Sequence, residues 1–352
     1  MRRGLISWSK VELPEFVLDR RVAKAQAAMA ATGLDALLVY TTPARTAGVS
    51  WLAGFVPYWN QGLLVVPHAG PPVLVSALSN RVKGWIQRNA HVAEVRSSPQ
   101  YAAEAVAVIS AAVSKARVGI VDLPHLPAVI SHSVADAGHV PVNGTSLFAE
   151  LRSDADPAEI GLTCRAAEIA RRALSRIGPD ETDAGRAVAA VEGEARRLGA
   201  EEVYPGIAAD LKASTRLVRL EGAAKLGTVA AVRASVAYKG AWVRMTRTIA
   251  RDAAHADAVR RATEQFAAAA ARLPDTGALL ASKTWLAEGC RTTLPLEALA
   301  GSVVDEPLSL TGTPIVSVQA TYDVDGMPVL VGAPVLLGRN GAAASLLAVA
   351  EP

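Results

Sequence analysis

The stretch Arg233 to Ile249, RASVAYKGAWVRMTRTI, is the part of the chain that leaves the fewest choices of fold. Short β-branched runs stand on either side of Tyr238-Lys239-Gly240, a pattern that reads as two strands joined by a glycine turn. With period-two alternation, Trp242, Arg244, Thr246 and Thr248 share one face, and Val243, Met245 and Arg247 take the other. An arginine in the middle of such a run is costly to bury unless an anionic or polar group answers it.

The rest of the chain supplies two domains around this hairpin. At 352 residues there is material for two cores. The first part alternates helix and strand. Val17 to Thr32 is amphipathic through Val17, Val22, Ala25 and Met29 and stops at Gly33. Asp35 to Tyr40, Leu63 to Val66, Val73 to Ala77 and Val118 to Asp122 read as strands. Helices are expected around Ser79–Arg88, Tyr101–Lys115 and from about Pro127. This alternation argues a compact α/β domain over residues 1–150. Leu151 to Asp156 reads as a linker into a second domain, 151–352. Asp156-Pro157-Ala158-Glu159 opens a long helix, with Asp as cap, Pro at the first helical position and Glu turning back to the cap. Helices are further expected over Asp183–Leu198, Asp257–Leu273 and Thr276–Glu288. Strands are expected over Ile315–Ala320 and Pro328–Leu337, around an Asp325-Gly326 turn.

Tyr238-Lys239-Gly240 and Met245-Thr246-Arg247-Thr248 resemble the YxG…D-x-TRT hairpin of the pita-bread family, which includes creatinase, prolidase, aminopeptidase P and methionine aminopeptidase. The opening helix, Gly33 to Val39 (GLDALLV) and Trp51-Leu-Ala-Gly-Phe55 are similar to the creatinase-type N-terminal domain. The resemblance implies an α/β N-terminal creatinase-like domain followed by an α+β pita-bread domain. It also implies a dimer in which loops of the first domain shape the substrate cleft, so Tyr58, Trp59, Asn60 and Gln61 are residues to watch, with an ordinary surface loop as the other reading.

The metal-dependent members of that family bind two divalent ions. Their two aspartates fall here on Arg244 and Arg233. The histidine ligand falls on Ala298, one glutamate on Gln319 and the last near Gly332. The family's upstream catalytic histidine falls near Arg216. Two arginines, an alanine and a glycine offer neither donors nor the negative charge needed to offset about +4. Of six histidines only His255 follows the linker. No metal site and no cofactor is therefore expected. Creatinase works without metal, yet its histidine and its guanidinium-holding glutamates are not placed here, and Arg233 and Arg244 would repel a cationic substrate.

Guanidinium groups in place of metal ions suit a small anion, because arginine stays charged and its planar fork matches carboxylate or phosphate. Arg233, Arg244 and Arg216 would clamp such a compound, Gln319 would donate to it, and Thr246 and Ser235 are inward. Asp305 and Glu306 are the candidate acid and base for a metal-independent hydrolase or lyase. Two other readings stand beside this one. Arg233 and Arg244 could pair with Glu201, Glu202 or Glu306 and plug a dead cleft. The chain could equally be a pseudoenzyme, the inactive partner of an active homologue in a heterodimer rather than a homodimer. Arg247, on the opposite face, is expected to tie the sheet to a carboxylate or carbonyl.

Charge and composition exclude other classes. A net charge of +3, from 36 basic and 33 acidic side chains, is too small an excess to argue for nucleic acid, and no basic run is interleaved with aromatics. No uncharged apolar stretch long enough to span a membrane occurs, and the first residues lack the apolar core of a signal peptide. Cys164 and Cys290 have no metal-ligand or redox spacing and read as small packing residues. A cytoplasmic location is the corresponding expectation.

Overall fold

The computed structural model describes residues 5–288, 302–304, 315–338 and 343–350. The chain forms two compact units. Ile6–Gly161 makes up one, and the other takes in Leu5 and the described residues from Leu162 onward, apart from any within 290–295.

In the first unit the order is α1 (Glu15–Thr32), β1 (Ala36–Thr41), α2 (Ala47–Ala53), β2 (Gly62–Pro67), β3 (Val73–Ser76), α3 (Lys83–Arg88), β4 (Glu94–Ser97), α4 (Tyr101–Ala112), β5 (Arg117–Ile120), α5 (Ala128–Asp136), β6 (Val140–Asn143) and α6 (Thr145–Leu151). The strands lie in the order β4-β3-β2-β1-β5-β6. β1 and β2 pair antiparallel, whereas β1–β5, β5–β6 and β3–β4 are parallel. β1 is buried along its whole length, which is why ALLVYT carries no polar alternation. β4 and β6 escape sequence reading because EVRS and VPVN are short and half polar.

A buried polar cluster holds the end of this unit. Asp156 caps α7 (Pro157–Leu174) by accepting from the Glu159 N–H at 2.9 Å. Its two oxygens also accept from Arg21 Nε and Nη2, at 2.7 and 2.8 Å. Burial pushes the Asp156 carboxyl upward, but the Arg21 guanidinium and the N–H groups of Glu159 and Ala158 together outweigh it and hold the group below the ordinary aspartate range. Glu159 accepts from Trp51 Nε1 at 2.9 Å and from Arg152 Nη2 at 2.8 Å. Arg21 and Arg152 both lie against the Trp51 ring, 5.1 and 5.7 Å from its centroid.

The second unit continues with α8 (Ala184–Arg197), β7 (Glu202–Ala208), β8 (Val229–Tyr238), β9 (Ala241–Ala250), α9 (Ala253–Ala270), β10 (Lys283–Glu288), β11 (Ser302–Val304), β12 (Ile315–Val324), β13 (Met327–Leu336) and β14 (Ser345–Leu346). Among the described residues its sheet runs β11-β10-β12-β13-β9-β8-β7, with β14 on β13, and every pair is antiparallel. Two tight hairpins set the register. Lys239 and Gly240 adopt φ of 49° and 84°, and Asp325 and Gly326 adopt 56° and 77°, the left-handed pair that a two-residue turn requires.

One face of this sheet is covered by helices. Ala230, Val232, Ala234 and Val236 of β8 pack with Val243 and Met245 of β9 against the apolar sides of α7 and α8. Val316, Val318 and Ala320 of β12 pack against Val259, Ala262 and Phe266 of α9. The expected helix over Thr276–Glu288 is corrected here: a short 3-10 turn at Gly277–Ala281 is followed by strand β10. Lys283-Thr-Trp-Leu286 alternates with period two and carries a β-branched and an aromatic residue, which favours the sheet once a partner strand is present.

Candidate functional site

The site face is the other side of that sheet. Directly opposed residues on neighbouring strands share a face, and one row can be followed across six strands. Trp285 on β10 is opposite Gln319 on β12, Gln319 is opposite Gly332 on β13, and Gly332 is opposite Thr246 on β9. Thr246 is opposite Arg233 on β8, which is opposite Gly206 on β7. One step along the strands, with side chains on the same face, come Lys283, Ser317, Arg244 and Ser235. Ser235 and Arg244 are themselves opposed.

Above the row is a cavity of about 540 Å³. Arg216, Arg233, Arg244, Lys283, Trp285 and Gln319 line it, with the exposed Ser214, Thr215 and Arg216 and the half-buried Leu217 as one wall. The cavity thus gathers four of the residues singled out from the sequence: Arg216, Arg233, Arg244 and Gln319. Lys283 and Trp285 are additions that sequence reasoning missed, because their segment was read as helix. Among the described lining residues are four cations and no carboxylate.

Arg244 forms the floor and is only 5% exposed. Its backbone N–H donates to Ser317 Oγ and its Nε–H to Ser235 Oγ, both at 3.2 Å. Its guanidinium lies over the Trp285 ring, 4.2 Å from the centroid, which fixes the plane of the fork. Arg233 is half-buried and lies across Gly206, where a Cβ would stand 3.2 Å from Nη2. Glycine at that point gives the guanidinium its place. Gly332 serves the same row: a Cβ there would meet the Val318 carbonyl at 3.0 Å and Thr246 at 3.1 Å. Thr246 Oγ1 donates to Gln319 Oε1 at 3.0 Å, so Gln319 keeps its amide nitrogen as a donor. Arg216 and Lys283 are exposed and form the rim.

Arg247 occupies the opposite face, as alternation requires. Its Nη1 donates to the carbonyls of Leu174 and Ile177, at 3.0 and 2.9 Å, at the C-terminal end of α7. Carbonyl groups at and just past a helix C-terminus carry partial negative charge, so a cation there is favourable. Of the carboxylates considered as partners for the site arginines, Glu201 Oε1 accepts from the Gly240 N–H at 2.7 Å, and Glu202 lies 3.9 Å from Arg196. Asp305, Glu306 and Ala298 fall outside the described residues.

In the first unit, Trp59 and Asn60 lie between α2 and β2. Trp59 is exposed, and Asn60 takes a left-handed φ of 61° while its amide donates to the Ala77 carbonyl at 3.0 Å.

A divalent ion does not fit the row. Guanidinium groups stand at Arg233 and Arg244 and a glycine at Gly332, and like charge repels a cation. Among the described residues no cluster of three His, Cys, Asp or Glu side chains could hold a metal. No helix among them is long and apolar enough to cross a membrane.

Residues 21–153 match the family model described as the Creatinase/Prolidase N-terminal domain. No curated protein sequence matches the chain. Among solved structures, a dipeptidase PepE from Mycobacterium ulcerans is 19% identical and has a TM-score of 0.62, over 96% of this chain and 97% of that one. A prolidase from Thermococcus sibiricus is 17% identical, with a TM-score of 0.64 over 95% and 97%. An Escherichia coli aminopeptidase P variant is 14% identical, with a TM-score of 0.64 over 95% and 94%. At such identities the likeness carries the fold. Residues 21–153 are thus similar to a Creatinase/Prolidase N-terminal domain, and over nearly its whole length the chain has the two-domain fold seen in prolidase and aminopeptidase P structures.

Proposed function

We propose that the cavity of the second unit binds a small anionic compound, in a metal-independent relative of creatinase and aminopeptidase P. The observation that carries this reading is the convergence of Arg216, Arg233, Arg244 and Lys283 on one cavity of about 540 Å³, a volume suited to a small metabolite. Arg244, held by Ser235 and Trp285, presents a fixed fork to a carboxylate or phosphate. Arg233 adds a second fork two strand positions away from Ser235, and Gln319 donates from the far side of the row. The rim cations Arg216 and Lys283 attract the anion from solvent. Should a reaction follow, Asp305 and Glu306 are the proposed acid and base for hydrolysis or proton abstraction.

The test is a thermal-shift screen of the full chain against small carboxylates, phosphates, divalent metals and a chelator. Arg216→Ala and Arg244→Ala are run beside the wild type, with circular dichroism as the control for folding. A ligand that binds only the folded state raises Tm by mass action. Expected is stabilisation by an anion that is insensitive to chelator and weakened at least tenfold in apparent affinity by Arg244→Ala. Stabilisation by metals with no response to anions would return the metal-dependent peptidase reading. No response to any compound would favour the partner-subunit reading, which a pull-down for an active homologue would then address.

A further inference from the structure

A second hollow adjoins the cationic cavity. It measures about 830 Å³ and lies under the excursion that joins β7 to β8. The two share Ser214, Arg216 and Leu217, so the segment 214–217 is a wall common to both. Of the other lining residues Ile207, Val218, Leu220 and four alanines are aliphatic, and Asp210, Arg219 and Glu221 are charged.

The excursion is shaped by its ends. Ala213 and Ser214 N–H groups donate to the Asp210 carbonyl, at 3.2 and 3.0 Å, and the Lys212 N–H to Asp210 Oδ1 at 3.0 Å. Val218 and Ile207 exchange backbone hydrogen bonds at 2.8 and 3.0 Å. Between these two anchors the segment 214–217 bridges the gap, with Ser214 Oγ accepting from the Arg216 N–H at 3.2 Å. Val218 is 44% exposed although it is held to the edge of the sheet. Aliphatic side chains left facing a hollow gain free energy when an apolar group displaces water from them.

We propose that the ligand is an amphiphilic carboxylate, whose charged head sits among Arg233, Arg244 and Gln319 and whose apolar arm crosses 214–217 into the aliphatic hollow. This rests on the reading of the first cavity as an anion site. The head fixes orientation through the guanidinium forks, and the arm adds affinity in proportion to the apolar area removed from water. A bare inorganic anion or a short carboxylate uses the head site alone.

The test is isothermal titration of the full chain with butanoate, hexanoate and octanoate. Expected is an affinity that rises about fourfold for each methylene added. Ala213→Trp fills the hollow from an exposed turn position, and Val218→Asn makes its wall polar. Both variants are expected to keep the wild-type affinity for butanoate, which also shows that they fold, and to reduce the gain to less than about twofold per methylene. Equal affinity for butanoate and octanoate in the wild type overturns the inference. So does a chain-length gain that both variants leave intact. If butanoate, hexanoate and octanoate all fail to bind, titration with inorganic phosphate separates the cases: binding of phosphate overturns this inference alone, and no binding means that the anion site itself is wrong.

Discussion

Arg244 and Arg247 stand three positions apart in β9 and meet opposite chemistries. Arg247 turns toward the helical layer and neutralises the carbonyl end of α7. Arg244 turns toward the cavity and is held flat by Trp285. That difference follows from pleat alone and could be read from VRMTRT. Arg233 depends on something the local sequence does not reveal, the glycine opposite it. Gly206→Val would place branched carbon where the Arg233 guanidinium lies, since even a Cβ stands 3.2 Å from Nη2. The expected result is about tenfold weaker binding of the anion, as for loss of a charged hydrogen bond, with Tm changed little because the displaced group is the far end of a flexible side chain. Titration of Gly206→Val with the best anion from the screen checks this. Wild-type affinity would mean that Arg233 does not contact the ligand.

Among the elements, the helices were the most legible and their caps explain why. Asp183 accepts from the Arg186 N–H at 2.8 Å, so α8 begins at the aspartate that the sequence reading places there, whereas Asp252 accepts from the His255 N–H at 2.9 Å and starts α9 at Ala253, ahead of the Asp257 start expected from the sequence. Removing one cap should have a local price: Asp252→Ala is expected to lower unfolding free energy by about 1 kcal/mol. Urea denaturation with an unchanged m value would confirm it, and a loss well above that figure would mean Asp252 does more than cap α9. Strands were less legible. The four-residue strands β4 and β6 carry too little alternation to be distinguished from turns. Residues 283–288 read equally as helix, because KTWLAE, following ALLAS, sustains an apolar pattern compatible with either period. Only pairing with β12 on one side and β11 on the other selects the strand, and with that choice Lys283 and Trp285 join the site.

For the molecule, pH and salt act on different units. In the first unit, Asp156 is held below the ordinary aspartate range by Arg21 despite its burial. A depressed carboxyl contributes stability above its unfolded value and loses it as pH falls through the folded one. The unit 6–161 is therefore expected to lose stability progressively below about pH 4, the unfolded aspartate value. Asp156→Asn, which can still cap α7, should flatten that dependence while lowering stability at neutral pH. Tm measured as a function of pH distinguishes the two proteins, and parallel curves would exclude Asp156 as the source. In the second unit, the exposed rim cations should make anion affinity fall with ionic strength, as the Debye length contracts from ~10 Å at 0.1 M to ~3 Å at 1 M. The sequence by itself determined the hairpin, the faces of its arginines and the capped start of α7, because all of these depend on neighbours a few residues apart. Tertiary structure decided that Trp285, Gln319, Gly332, Thr246, Arg233 and Gly206 form one row, and that the 214–217 segment stands between two cavities. Strand order and register join residues about eighty positions apart through packing of the whole sheet, and no local period encodes which strand becomes whose neighbour.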